Sequence, residues 1–367
     1  MEKKTTVLIS LAIIIVGSVS FLIYNSNSTL SPNELEECKI LQDNGENKIS
    51  ILFFSDKENA QKYSDSLLNI PPLSENKDNF NLYYIDTYKP KCELYQEKAL
   101  LCYDKETVKK ASSCPNDLII TVIEKEDKKI RSSAYMNFMS INSRNTLTVI
   151  AHEFGHVFAS LADEYVPSVL PKKSKNCVTN CNKFDIKDGC FLGCSKEDYY
   201  RSIDNGLMRT LSASDFGIFD EKVIIEKITE TIWSSSGITG NVIENIDCSD
   251  QEYILIHGQY SGQGISIKDK SIEHGCLGDF GSGDLGYTLN KKDGSEIQRE
   301  FNPGYIFTDL QDESGNQIEG EVFVSNQDFF LKIPVENTKS IKISKEDQTL
   351  KEINLEDLAN KARPCLK

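Results

Sequence analysis

His152-Glu153-Phe154-Gly155-His156 sets two imidazoles and a carboxylate within five residues. On an α-helix, residues four apart share one face about one turn from each other. His152 and His156 can therefore aim at one metal ion. Glu153 is rotated by roughly 100° from His152, so its carboxylate can reach a water on that ion without ligating it. Zinc brings the pKa of such a water near neutral, and a glutamate can take its proton as it attacks a carbonyl. The spacing is that of a metal-dependent peptidase. The competing reading is a structural helix carrying two incidental histidines. The context favours the metal: two of the chain's four histidines fall here, in a segment made apolar by Leu147, Val149, Ile150, Phe154, Val157, Phe158 and Leu161.

Catalytic zinc usually takes three protein ligands and keeps one position open. Asp163 and Glu164 are the nearest candidates for the third. In an unbroken helix Asp163 would lie about 10 Å beyond His156 along the axis, at roughly 1.5 Å per residue. Either the helix breaks near Ala159-Ser160 and the chain turns back, or the ligand comes from elsewhere. A solvated or capping role is the alternative for both acids.

The run His152-Glu-Phe-Gly-His156 followed by Leu161-Ala-Asp-Glu-Tyr165 resembles the IgA-peptidase family of zinc metallopeptidases. Cys190-Phe-Leu-Gly-Cys194 and Tyr200-Arg-Ser-Ile-Asp-Asn-Gly-Leu-Met-Arg209 are similar to that family's later block. The similarity spans roughly residues 45–230 and is dense only at 150–220. It implies a metzincin-like fold in which Met208 lies beneath the metal and Asp163, rather than Glu164, is the third ligand. Metzincins place a glycine three residues after the second histidine and a ligand three beyond. Here Ala159 and Ala162 hold those positions, so a ligand at Asp163 is displaced by one.

The elements that must carry these residues are legible in outline. Lys48-Ile-Ser-Ile-Leu-Phe-Phe54 reads as a strand covered on both faces, and Asn81 to Asp86 and Asp117 to Glu124 as the second and third strands. Lys57 to Leu68, Lys105 to Ser112, Asn145 to Ser160 and Phe219 to Trp233 read as helices. Arg131 to Ile141 reads as an edge strand, which the resemblance would use to border the cleft and pair with extended substrate. Tyr199, Tyr200 and Arg201 are candidates to steady an oxyanion, against the alternative that they pack or face solvent.

Past a linker at Ser234 to Gly240 the pattern changes to short strands at 253–257, 264–268, 321–325, 329–333 and 340–344. These suggest a β-sandwich. His257 and His274 lack ligand partners at useful spacing and read as structural. The expected fold class is α+β: a metzincin-like zinc-peptidase domain, with a mixed sheet over helices, at 48–235, and a β-sandwich domain at 245–367. Residues 1–26 form a transmembrane anchor or signal segment, and 27–47 a polar tether.

Lys3 and Lys4 before the apolar run hold the N-terminus inside and send the rest outward. An uncleaved segment gives a single-pass cell-membrane protein with its catalytic part outside; a cleaved one gives a secreted protein. Eleven cysteines agree with export. Cys177-x3-Cys181 and Cys190-x3-Cys194 fit either two disulfides or a four-thiolate zinc site. With a net charge of −15 and no long basic run, nucleic acid is not an expected partner. The expected activity is zinc-dependent endopeptidase on protein or peptide substrate, with Glu153 catalytic and His152, His156 and Asp163 on zinc. The alternative is a cell-surface adhesion or binding protein with a vestigial metal site.

Overall fold

Ile49 to Phe54, all six buried, run through the centre of an eight-stranded mixed sheet. In the computed structural model, residues 35–362 are described, apart from 126, 185–188, 236–247, 263, 279–280, 312–317 and 325. In chain order the strands are β1 (Lys39–Gln42), β2 (Ile49–Phe54), β3 (Phe80–Ile85), β4 (Glu93–Tyr95), β5 (Ala99–Leu101), β6 (Leu118–Ile123), β7 (Ser132–Tyr135), β8 (Phe138–Asn142), β9 (Phe191–Cys194) and β10 (Lys196–Arg201). The second half adds β11 (Glu252–Tyr260), β12 (Ile265–His274), β13 (Leu285–Lys291), β14 (Glu296–Phe301), β15 (Tyr305–Gln311), β16 (Ile318–Val324), β17 (Asp328–Pro334), β18 (Thr338–Lys345) and β19 (Gln348–Asn354). The helices are α1 (Lys57–Leu68), α2 (Lys105–Ala111), α3 (Val149–Ala159), α4 (Ile218–Ser235) and α5 (Glu356–Ala359).

The large sheet has the order β1-β3-β2-β6-β8-β7-β15-β16. Its centre, β3-β2-β6-β8, is parallel, and parallel strands need both faces covered. Alternation meets that need. Ile51, Phe53, Leu82, Ile120, Met139 and Ile141 point to the face packed by α1, α3 and α4, through Leu67, Phe154, Phe158 and Ile228. Leu52, Phe54, Tyr83, Ile85, Ile119 and Phe138 point to the other face. There they meet Val108 of α2 and Tyr253, Leu255 and Phe330 of β11 and β17. Helices α1 and α2 start on side-chain caps: Asp56 accepts from the Asn59 amide at 2.9 Å and Asp104 from the Thr107 amide at 2.7 Å.

Two antiparallel sheets, β12-β11-β17 and β14-β13-β18-β19, share an apolar core of Ile254, Ile256, Leu289, Phe329, Leu331, Ile341 and Ile343. This is the two-layer packing expected for the C-terminal half. Residues 305–324 depart from it: β15 and β16 cross to the large sheet, where β15 pairs with β7. The C-terminal half thus supplies two strands of the large sheet. The segment 131–141 is not a single edge strand. It folds into the hairpin β7–β8 around Met136, whose φ is 55°, and β15 covers the edge. Lys39–Gln42, within the expected tether, is an edge strand paired to β3, because backbone pairing tolerates a polar sequence.

Five disulfides close the described part: Cys38–Cys114, Cys92–Cys102, Cys177–Cys194, Cys181–Cys190 and Cys248–Cys276. The x3-spaced cysteines are thus disulfide-bonded rather than a thiolate zinc site, and the set fits an oxidising, extracytoplasmic compartment. Among the described residues no helix is long and apolar enough to cross a membrane. The apolar run expected as anchor or signal, most of the linker 234–240 and Cys365 lie outside the described residues.

Chain entropy ranks the disulfides by loop length. Cys38–Cys114 spans 76 positions and Cys92–Cys102 spans 10. Replacing the first pair by serines should cost about 4 kcal/mol, and the second about 3 kcal/mol or less. Denaturant unfolding of the two variants measures the ranking; equal or inverted losses would contradict it.

Candidate metal centre

The first half of the centre comes from α3. Thr148, the residue before it, donates its hydroxyl to the Leu211 carbonyl at 2.5 Å, and the helix then runs through His152, Glu153 and His156. His152 and His156 bring their Nε2 atoms within 3.1 Å of each other. Their Nδ1 atoms are committed elsewhere: His152 donates to the Leu207 carbonyl at 2.7 Å and His156 to the Leu161 carbonyl at 2.8 Å. Backbone acceptors on Nδ1 fix the tautomer that leaves Nε2 free for a metal.

The helix then breaks, one of the two possibilities the spacing left open. Ser160 takes left-handed angles (φ 52°, ψ 33°) and the chain reverses. The Leu161 amide bonds back to the Gly155 carbonyl at 3.1 Å. This return brings an Asp163 carboxylate oxygen to 3.1 Å from His156 Nε2 and 3.3 Å from His152 Nε2. Ser168 holds the other oxygen at 2.9 Å. Glu164 points away, toward Asn176 at 3.4 Å, while its amide bonds to the Met208 carbonyl at 2.8 Å. Of the two acids, Asp163 is the one brought to the histidines.

Met208 is fully buried directly beneath α3. A β-carbon at Gly155 would come within 2.6 Å of the Met208 sulfur, so the glycine in the motif is what lets the two approach. Arg201, by contrast, is fully engaged. Its guanidinium donates to the carbonyls of Leu192 and Gly193, both at 2.7 Å, and to Asp204 at 2.8 Å. It ties β9 and the turn after β10 together instead of facing the centre. Tyr199 lies beside Lys196, and Tyr200 packs against the apolar core. His257 is bridged to Asp328 at 2.7 Å and Asp269 at 3.3 Å, and pins β11 to its two neighbours.

The fourth member was not singled out from the sequence. Asp309 of β15 places one carboxylate oxygen 3.0 Å from His152 Nε2 and 3.7 Å from His156 Nε2. Tyr165 donates its hydroxyl to the other oxygen at 2.8 Å. Tyr305-Ile-Phe-Thr308 is a β-branched and aromatic run that signals a strand. Nothing local marks Asp309 as a ligand, since it lies 144 positions from Tyr165.

His152, His156, Asp163 and Asp309 put their ligand atoms within 4.8 Å of one another. A tetrahedral zinc site with bonds of about 2.0–2.2 Å has ligand–ligand edges of about 3.3–3.6 Å, close to the 3.0–3.7 Å separations between these imidazoles and carboxylates. Among the described residues, one oxygen each of Asp163 and Asp309 has no partner other than the imidazoles it faces. The donor set therefore fits a divalent cation, which would supply the charge those oxygens lack.

Burial and charge set the protonation of the metal-free protein. Burial alone would lower both imidazoles, but the carboxylates of Asp309 and Asp163 outweigh it; His152 is held well above its usual range and His156 at about 9. Burial opposes ionisation of Asp163, yet the two imidazoles hold its carboxyl below the usual range. Burial and the Asp309 charge push Glu153 up. Burial raises Glu164 to about 8, against the pull of Arg201.

No protein-family model matches the chain, and no curated protein matches it.

The geometry supports two measurements. Gly155→Ala should destabilise the fold by about 1–2 kcal/mol, because crowding against Met208 outweighs the gain in helix propensity. In a Met208→Ala background the same change should be neutral or stabilising; additive losses in denaturant unfolding would contradict the packing argument. The second concerns pH. Glu164 titrates near 4.5 unfolded and about 8 folded, so its contribution is full below 4.5 and lost as pH rises through 8. In chelator, Glu164→Gln should therefore be more stable relative to wild type at pH 8 than at pH 5. Thermal unfolding of both proteins at the two pH values checks the sign.

Proposed function

We propose that the protein is an exported zinc-dependent endopeptidase of metzincin-like fold. His152, His156 and Asp163 would hold the ion, Glu153 would act as general base and then acid, and Met208 would support the site from below. The observation that carries this reading is Glu153. It is completely buried beside the ligand cluster, and among the described residues neither of its carboxylate oxygens has a hydrogen-bond partner. A buried carboxylate without partners costs several kcal/mol. A helix whose histidines were only structural gains nothing from that cost, whereas a peptidase needs that group there.

The ion would supply Lewis acidity, polarising a scissile carbonyl and making a bound water acidic. Glu153 takes the proton of the attacking water and delivers it to the departing amine, so one carboxylate serves both halves of the step. His152 and His156 stay fixed by the Leu207 and Leu161 carbonyls, which keeps Nε2 oriented while the charge shifts. The one-residue displacement of Asp163 fits the resemblance, since the left-handed turning residue is displaced by the same step, to Ser160. The substrate would be protein or peptide, and the N-terminal apolar run would tether the enzyme to a membrane or direct its secretion.

A second reading has its own observation. Four protein ligands fill a tetrahedral shell, and a filled shell is the mark of a structural metal. On that reading the protein is a cell-surface adhesion or binding protein whose metal site is vestigial.

Metal analysis and one substitution separate the readings. The wild type should bind one zinc per chain, weakened by His156→Ala and by Asp163→Ala. Glu153→Gln should keep its zinc, while hydrolysis of an unfolded protein falls by about 10²–10⁴-fold. Hydrolysis that is measurable in wild type and unchanged in Glu153→Gln would sink the mechanism.

A further inference from the structure

Strand β15 does two things at once. It brings Asp309 to the cluster, and it occupies the edge of β7. The pairing is short and antiparallel, with Phe307 opposite Ala134, Thr308 opposite Ser133 and Asp309 opposite Ser132. Beside it, the Phe307 ring stacks on His156 with centroids 4.1 Å apart and planes within 16°. Under this cover His152, Glu153, Asp163 and Asp309 are fully buried and His156 is 5 % exposed. In this arrangement the ligand atoms are closed off from a peptide carbonyl.

We propose that the β15–β16 hairpin is a built-in plug: it lies where an extended peptide would add to β7, with Asp309 in the coordination position that catalysis needs open. This rests on the peptidase reading above and extends it to regulation. The argument has three parts. A catalytic ion keeps one position free of protein ligands, and Asp309 fills it. An exposed strand edge beside a site recruits extended peptides through main-chain hydrogen bonds, and β7 would be such an edge without β15. Finally, Glu153 is completely buried under this cover, so substrate cannot reach the base while β15 is in place.

The hairpin is also attached in a way that allows release. Outside the site, Ile306 and Phe323 pack with Ala99, Leu101 and Tyr135. Glu321 pairs with Lys98 at 2.8 Å and Arg131 at 3.5 Å, and with the Lys98 and Glu321 side chains 53 % and 41 % exposed, such pairs hold weakly. A cleft lined by Met136, His156, Asn302, Tyr305 and Phe307 already marks the seam between β7 and β15. When Asp309 withdraws, the Tyr165 hydroxyl loses its acceptor and is left as a donor beside the ligands.

The test uses the full chain loaded with zinc and acetohydroxamate as a metal-seeking probe, with calorimetry to follow binding and an unfolded protein to follow hydrolysis. Wild type should bind the probe weakly. Asp309→Asn should retain zinc through the other three ligands, bind the probe at least tenfold more tightly and hydrolyse at least tenfold faster. Glu321→Lys touches no ligand and repels Lys98 and Arg131. It should raise probe binding severalfold and speed amide exchange in 305–311 and 318–324. The plug is overturned if wild type binds the probe as tightly as Asp309→Asn, or if Asp309→Asn loses its zinc while Glu321→Lys leaves probe binding unchanged. Tighter probe binding by Asp309→Asn with no hydrolysis would uphold the plug and reject the peptidase. Hydrolysis with equal probe binding in wild type and Asp309→Asn would uphold the peptidase and reject the plug.

Discussion

Two imidazoles and two carboxylates, converging within 4.8 Å and cut off from water, are the constraint around which the molecule is arranged. Each of these groups is costly to bury alone. Together they are tolerable only with a cation among them, or with protons redistributed so that the histidines are charged against the aspartates. Much of the neighbouring backbone serves that arrangement. The Leu207 and Leu161 carbonyls orient the rings, Ser160 reverses the chain to return Asp163, and Gly155 lets Met208 close the floor. A second pair of buried acids, Glu164 and Asp220, lies nearby, and the Glu164 charge raises the cost of ionising Asp220. That pair is the price of packing the reversed chain against α4.

The sheet decides what can approach the centre. Its parallel middle is sealed on one face by α1, α3 and α4 and on the other by α2 and the C-terminal strands. The strand edge beside the cluster is that of β7, and a hairpin from the C-terminal half has taken it. A C-terminal region that merely packed on a face would leave the centre open. One that adds a strand covers it directly, because the same backbone ladder that fixes the register also fixes Asp309 against His152.

The local parts of this account were legible in the sequence. The helical repeat put His152 and His156 on one face, and the length of a helical turn required a break before Asp163 could join them. Buried strands and helices are read from apolar spacing, whereas the caps at Asp56 and Asp104 came from the structure. The cysteine count announced disulfides but not their pairing, since pairing depends on which loops meet. Tertiary structure alone decided the rest. Whether 131–141 was an edge depended on a strand that arrives more than a hundred residues later, and no local pattern reports an unseen neighbour. Asp309 reads as one more acid on an alternating strand; it joins the histidines only because β15 pairs with β7 in a register that sets it opposite Ser132. Periodicity is a property of neighbouring residues and survives in the sequence, whereas a coordination shell closed from two distant segments exists only once the sheet has formed.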